Sequence, residues 1–223
     1  MYTATARTKI GGPERVSPGQ VSLADEARKA RGRLMPTTLT FLGLSTLVVG
    51  AALREGPALR VLGFALFGVL SFSLVEYGVH RFILHGRFPD GRGLRHLLHQ
   101  AFDHLHVQHH ARPWDSNHNG GTLNDTFVPV VSVLLIVLGL TPLPTGPVFW
   151  AAIVASYVLE EWIHHSIHYC AFTHPAFIAL RRHHFVHHAG PGTESNYGLS
   201  SPLWDVLLGT AFTPPRHAVR SRQ

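Results

Sequence analysis

Long apolar stretches without charge set the pattern of the chain. Residues 34–53 are apolar or hydroxyl-bearing and carry no charged side chain. A helix of that length spans about 30 Å, the hydrocarbon thickness of a bilayer. Arg54, Glu55, Gly56 and Pro57 interrupt it, and a second apolar block covers 58–79, with Arg60 near its start and Glu76 near its end. A third block, 127–140, leads through the proline-rich turn 141–147 into a fourth, 148–163. The last two are short for full spans and are expected to cross with tilt or to sit partly in the interface. Apolar helices also occur in soluble cores, but the first pair is apolar on every face and requires surroundings without water. The pattern therefore predicts an all-α integral membrane protein with four transmembrane helices in two hairpins.

The flanks are polar. Residues 1–33 carry Arg7, Lys9, Arg15, Arg28, Lys29, Arg31 and Arg33 among Pro13, Pro18 and several glycines. They read as a basic flexible segment, and not as a secretory signal, because the apolar block begins too late. A membrane-embedded domain is expected over 34–212, with a basic tail over 213–223. With the N-terminus inside, every Lys and Arg except Arg54 and Arg60 faces the cytoplasm, in line with the positive-inside rule. The same orientation, reached from charge alone, puts every histidine on the cytoplasmic side and predicts a histidine-rich helical cap there.

Charged residues make up only 14% of the chain, against about 25% in ordinary soluble domains. One cysteine, Cys170, excludes an internal disulfide framework and any CxxC site. The net charge of +6 includes Arg81, Arg87, Arg92, Arg95 and Arg112 among the histidines. No nucleic-acid recognition motif accompanies them, so they point to anionic lipid headgroups.

Histidine is the outlier, with 18 copies in tight groups. His80 and His85 lie where the second apolar block ends; His106, His109 and His110 follow it. His164 and His168 end the fourth block, and His184, His187 and His188 lie beyond. Positions i, i+3 and i+4 share a helix face, so each HxxHH triplet can point one way, as can His164 and His168. His80 and His85 are about 140° apart on an α-helix, which places one of them past a helix end. Ten imidazoles can thus converge below the bundle. Their nitrogens would supply two metal ions with about five donors each, a set suited to Fe, Zn, Cu or Ni rather than Mg or Ca. A nonspecific metal-buffering tract lacks such spacing, and a pH sensor needs far fewer histidines. His174 and His217 read as ordinary surface histidines.

HRFILH, HVQHH, HHSIH and HHFVHH, in that order between hydrophobic hairpins, resemble the integral-membrane fatty acid hydroxylase/sterol desaturase superfamily. The stretch from Asn196 through Asp205 to Thr210 is similar to its C-terminal signature, and the resemblance covers 72–210. It implies two iron ions (or zinc in a purified sample) that activate O₂ to hydroxylate or desaturate a lipid. The implied ligands are His80, His85, His106, His109, His110, His164, His168, His184, His187 and His188. His165 and His183 are at spacings that could replace a neighbour. His96, His99, His104 and His118 fall outside the matched spacings, with His99 and His104 the better candidates for extra ligands or supporting groups. Some relatives carry a fused cytochrome b5 module. Here none is expected, so electrons would come from a separate cytochrome b5-, ferredoxin- or reductase-type protein.

Metal-bound imidazoles usually donate their other N–H to a carboxylate or carbonyl. Glu76, Glu160 or Glu161, and Asp205 are the candidates for that role, with simple interfacial charges as the alternative; Glu160 and Glu161 end an apolar span, where a carboxylate is costly unless partnered. Asn196, Tyr197 and Trp204 are either interface anchors or part of a turn that folds the tail over the metals. The expected function is an O₂-dependent lipid hydroxylase, most plainly of a fatty acyl chain. A sterol desaturase or oxidase and a carotenoid hydroxylase are alternatives within the same chemistry, the carotenoid reading being the weaker because of the tail. A non-catalytic membrane metal-binding or transport protein is the alternative from another class. It should carry metal-binding groups at mid-membrane, whereas these histidines sit at the ends of the blocks.

Overall fold

The computed structural model describes residues 22–85, 92–94, 96, 104–189 and 193–214. Among them the regular structure is entirely helical, with no strand. Helix α1 (Leu23–Glu55) is the longest. Its Ser22 cap accepts from the Asp25 N–H, and Asp25–Arg28 and Glu26–Lys29 pairs, each at 2.7 Å, line its first turns. These local bonds carry the helix back beyond the expected boundary at Leu34. The basic segment predicted to be flexible over 1–33 is therefore helical from Leu23 onward, and residues 1–21 lie outside the described residues. Glu26 also accepts from the Ser116 N–H at 3.0 Å, and Arg33 donates to Asn117 at 2.7 Å, which ties this extension to the short 3₁₀ turn Ser116–His118.

Helix α2 (Ala58–Gly78) runs without a break into a π-helical turn, Val79–Leu84. Then come α3 (His104–Ala111), α4 (Leu123–Leu140), α5 (Gly146–Tyr169), α6 (Pro175–His188) and the single-turn α7 (Leu203–Leu207). Thr122 and Asp125 form a reciprocal capping box that starts α4 ahead of the apolar block. Both α4 and α5 thus extend past the blocks 127–140 and 148–163. Proline at the start of α6 follows His174, whose side chain accepts from the Ala176 N–H; this surface histidine is a helix cap.

Helix α5 is central, with α1, α2 and α4 packed around it. Three apolar levels run along it. Ala52, Val61 and Val148 meet near its start, Val48, Leu134 and Ala151 in the middle, and Phe41, Val154 and Val158 nearer the histidines. Hydrogen bonds cross the same contacts: Ser45 to the Ala151 carbonyl at 3.0 Å, Trp150 to the Val130 carbonyl at 3.2 Å and Trp162 to Thr38 at 2.9 Å. Gly68 lets α2 come close, since a Cβ there would lie 2.7 Å from that of Ala152. Small residues at such crossings are typical of helices packed in lipid. The turn at Gly56 packs on Pro144, so the two interhelical turns share the end of the bundle opposite the histidines.

Leu23–Glu55, Ala58–Leu84 and Ser116–Leu140 are long and apolar enough to cross a membrane. Helix α5 falls outside this set. Its second half carries Glu160, Glu161 and histidines, and it is the helix the others cover. On α2, Leu59 is 83% exposed and Leu62, Leu66 and Leu70 are also exposed, as are Val128, Leu135 and Ile136 on α4. A bundle with leucines outside and histidines inside is compatible with insertion in lipid, not with a water-facing surface.

Candidate metal centre

The histidines gather at the end of the bundle where α2 and α5 finish, and they form two groups of five. In the first, His80, His85, His106, His110 and His187 each offer a ring nitrogen, all within 4.8 Å of one another. In the second, the same holds for His109, His164, His168, His184 and His188. These are the ten positions expected from spacing, but the triplets do not act as units. On α3, His106 and His110 face the first group and His109 the second. On α6, His184 and His188 face the second group and His187 the first. Each triplet gives its i, i+4 pair to one group and its i+3 member to the other. The groups adjoin where the His110 and His188 rings lie 4.4 Å apart.

The π turn resolves the spacing of His80 and His85. The His85 N–H donates to the His80 carbonyl at 3.0 Å, an i to i+5 bond that widens the turn and brings both rings into one group. Single π turns inside α-helices are frequently associated with functional sites.

Within each group the Nε2 atoms converge. The distances are 2.7 Å for His85–His106, 3.0 Å for His85–His187 and His106–His110, and 3.3 Å for His80–His106. In the second group they are 3.1 Å for His109–His164, 3.0 Å for His164–His168 and His168–His184, and 2.9 Å for His184–His188. Ligands at right angles around a cation with metal–nitrogen bonds of about 2.1 Å lie about 3.0 Å apart. Five rings that each carry one proton cannot satisfy such a knot by bonding to one another, whereas a shared cation accepts all five lone pairs. An all-imidazole donor set suits a borderline transition metal. The histidine groups thus fit a metal site.

The rings are held neutral. Burial first, and then the charge of neighbouring imidazoles, pushes His85 and His187 down to about 3. The same two causes hold His106, His109, His110, His184 and His188 well below the usual histidine range. Metal ligation needs the neutral form.

Among the described residues, the Nδ1 atoms of two of the ten rings have hydrogen-bond partners. His80 Nδ1–H donates to the Tyr197 carbonyl, and His187 Nδ1–H to the Ser195 carbonyl at 2.7 Å. Each bond fixes the proton on Nδ1 and leaves the Nε2 lone pair for the group. Because these partners are backbone atoms, residue identity carries no sign of them; only the Asn-Tyr-Gly turn pointed there. Asn196 sits at φ 56°, a left-handed conformation that asparagine tolerates.

The other candidates take different places. Asp205, fully buried, accepts from the Tyr197 and Gly198 amides at 2.8 Å each, from the Thr210 hydroxyl at 2.7 Å and from His183 at 3.1 Å. Burial raises its pKa, but these bonds outweigh it and hold the carboxyl below its ordinary value. Glu76 accepts from the Leu199 and Ser200 amides at 2.6 and 2.9 Å and from the Ser200 hydroxyl. Glu161 accepts from the Gly121 amide at 3.0 Å, and Glu160 is half-buried beside it. These contacts go to backbone amides, to the Thr210 and Ser200 hydroxyls and to His183, not to the rings of the two groups. His183 faces Asp205 and belongs to neither group. His165 is buried between Trp162 and Tyr169 and also belongs to neither. His118 lies 3.9 Å from Asp115, and His96 is exposed. His99, His217 and the side chain of His104 lie outside the described residues. Asn196 donates to the His183 carbonyl at 3.1 Å and accepts from the Phe212 N–H at 2.7 Å, and Trp204 donates to Ser73 at 3.1 Å. The tail therefore folds onto α2 and the histidines.

Fold and site together define a class of helical proteins whose histidine clusters are compatible with a metal site. The fatty acid hydroxylase family model matches residues 65–210, and the chain belongs to that family. It is 31% identical to the dihydroceramide fatty acyl 2-hydroxylase FAH2 of Arabidopsis thaliana over 65% of this chain and 58% of that one. It is 28% identical to the fatty acid 2-hydroxylase of Mus musculus, over 72% of this chain and 42% of that one. The ceramide very long chain fatty acid hydroxylase SCS7 of Saccharomyces cerevisiae is 27% identical over 74% and 42%, respectively. The chain thus spans about half the length of these relatives. Among solved structures, full-length scs7p, with only its hydroxylase domain visible, shares the fold at a TM-score of 0.69 and 23% identity, over 80% of this chain and 66% of that one.

Proposed function

We propose that this chain is an O₂-dependent hydroxylase of a lipid acyl chain, with one iron ion held by each group of five histidines. The convergence of five Nε2 atoms in each of two adjoining groups carries this reading. Iron bound there would supply the strong oxidant that side chains cannot provide for an unactivated C–H bond. One oxygen atom enters the C–H bond and the other leaves as water, with two electrons and two protons consumed. The rest is the work of the chain. Neutral, buried rings present lone pairs in a water-poor site, the Tyr197 and Ser195 carbonyls orient two of them, and the apolar outer face of α2 leads a lipid tail toward His80.

The names of the relatives favour position 2, the carbon next to the acyl carbonyl, of a fatty acid or of an N-acyl lipid. Electrons would come from a separate donor of the cytochrome b5, ferredoxin or reductase type. We further infer that α5 is a fourth crossing, so that two hairpins span the bilayer with the N-terminus and the histidines on the cytoplasmic side. A sterol or carotenoid substrate has less support, since the relatives named above act on fatty acyl groups. A transporter has less still, because the histidines gather at one end of the bundle.

Lipid profiling of an expression host with and without the gene tests the reading. A new 2-hydroxy acyl species that depends on His80 and His164 is expected. An unchanged acyl profile with an altered sterol or pigment, or no change while electron donor and iron are supplied, overturns it.

A further inference from the structure

We propose that Asp205 and Thr210 are positioning residues for one histidine group only, that of His80, His85, His106, His110 and His187. The inference rests on the metal-binding reading above and on the planarity of the peptide bond. In a trans peptide the C=O of one residue and the N–H of the next lie in one plane and point in opposite directions. Fixing one edge of the plane therefore aims the other.

Two such planes meet the first group. The Tyr197–Gly198 peptide gives its N–H to Asp205 Oδ2 at 2.8 Å and accepts His80 Nδ1–H on its carbonyl. The Ser195–Asn196 peptide gives its N–H to the Thr210 carbonyl at 2.9 Å and accepts His187 Nδ1–H on its carbonyl at 2.7 Å. The anchors are joined, because the Thr210 hydroxyl donates to Asp205 Oδ1 at 2.7 Å and accepts from Tyr77, which in turn accepts from Arg81 at 2.7 Å. Glu76, one turn before His80 on α2, holds the next two amides of the segment. Gly198 leaves no room for slack, since a Cβ there would run into the Ser201 carbonyl. Ring, carbonyl, amide and carboxylate thus form one rigid path from the tail to His80 and His187.

Among the described residues no such path reaches the second group. Among the described residues the buried Nδ1 atoms of His109, His168 and His188 have no hydrogen-bond partner, as is also true of His110 in the first group, so the tail reaches His80 and His187 alone. The tail therefore sets the proton position and aim of two rings in one group and of none in the other. The two metals should then respond differently to a change in the tail.

The test is metal release from the purified full chain loaded with iron, followed after addition of a chelator, with total metal counted per folded chain. Wild type should hold two ions that leave in two phases; His80→Ala and His164→Ala assign the phases by removing one each. Asp205→Asn puts an amide where four donors converge, and its first-group ion should leave about 10- to 100-fold faster, the usual penalty for losing an outer hydrogen-bond partner of a ligand. The second phase should keep its wild-type rate. Thr210→Val removes only one hydroxyl and should give a smaller shift of the same phase, which keeps the test decisive if Asp205→Asn does not fold. Equal acceleration of both phases in Thr210→Val, or no change in either, overturns the inference. Wild type without two bound ions overturns the metal reading itself.

Discussion

A histidine ring declares its role by where its second nitrogen points. His164, His165 and His168 sit within one and a half turns of α5, yet His165 packs between Trp162 and Tyr169 while the other two meet His109 and His184. His168→Ala should therefore release an ion and abolish acyl hydroxylation. His165→Ala should retain both ions and cost only roughly 0.5–3 kcal/mol of stability, the ordinary range for a single truncation. Metal counted per folded chain, beside the thermal midpoint in detergent, checks the pair. Loss of metal in His165→Ala would place that ring in the site after all. Spacing made the ten converging rings legible because i, i+3 and i+4 share a helix face. Spacing does not reveal which neighbour that face meets, so the split of each triplet between two groups became visible only in three dimensions. The carboxylates illustrate the same limit. Asp205 and Glu76 stand out in an apolar context, but four of their partners are backbone amides, which every residue possesses.

At the scale of elements, the groups exist because α2 and α5 end side by side. Their approach depends on Gly68, where an added Cβ would press on the Phe149 carbonyl and the Ala152 methyl. Both obstacles belong to the most buried helix and cannot move aside cheaply. Gly68→Val should destabilise the chain by about 1–3 kcal/mol, the range for overpacking, and should draw the His80 and His164 ends apart. Gly63, on the same helix with nothing within 4 Å of a Cβ, is the control. Gly63→Ala should be neutral or slightly stabilising, because alanine is the better helix former. A detergent melting series on the two variants tests this, and equal midpoints would show that the close approach bears no load. Apolar blocks revealed these helices but not their ends. The capping box at Thr122 and the salt-bridged start of α1 lengthened them, and the π turn at Val79–Leu84 departs from the 100° per residue on which the spacing argument for His80 and His85 was built.

For the molecule as a whole, the two interhelical turns and the two histidine groups lie at opposite ends of a bundle whose outer face is leucine. Such a body has one natural placement in a bilayer and two orientations, and the bias of Lys and Arg toward the histidine end favours that end inside. The chain carries its own reporter of orientation. Cys170 is the single cysteine; it is exposed and directly follows α5, beside the histidine groups. With the histidines in the cytoplasm, a membrane-impermeant maleimide should leave Cys170 unlabelled in intact spheroplasts and label it fully once the membrane is permeabilised. Moving the thiol to the opposite end, by Glu55→Cys in a Cys170→Ser background, should reverse the result, since Glu55 is exposed beside the turn at Gly56. Labelling of both positions in intact spheroplasts would mean that the bundle does not separate two compartments. The reversed pattern would put the histidines outside, away from the cytoplasmic electron donors that the proposed chemistry needs.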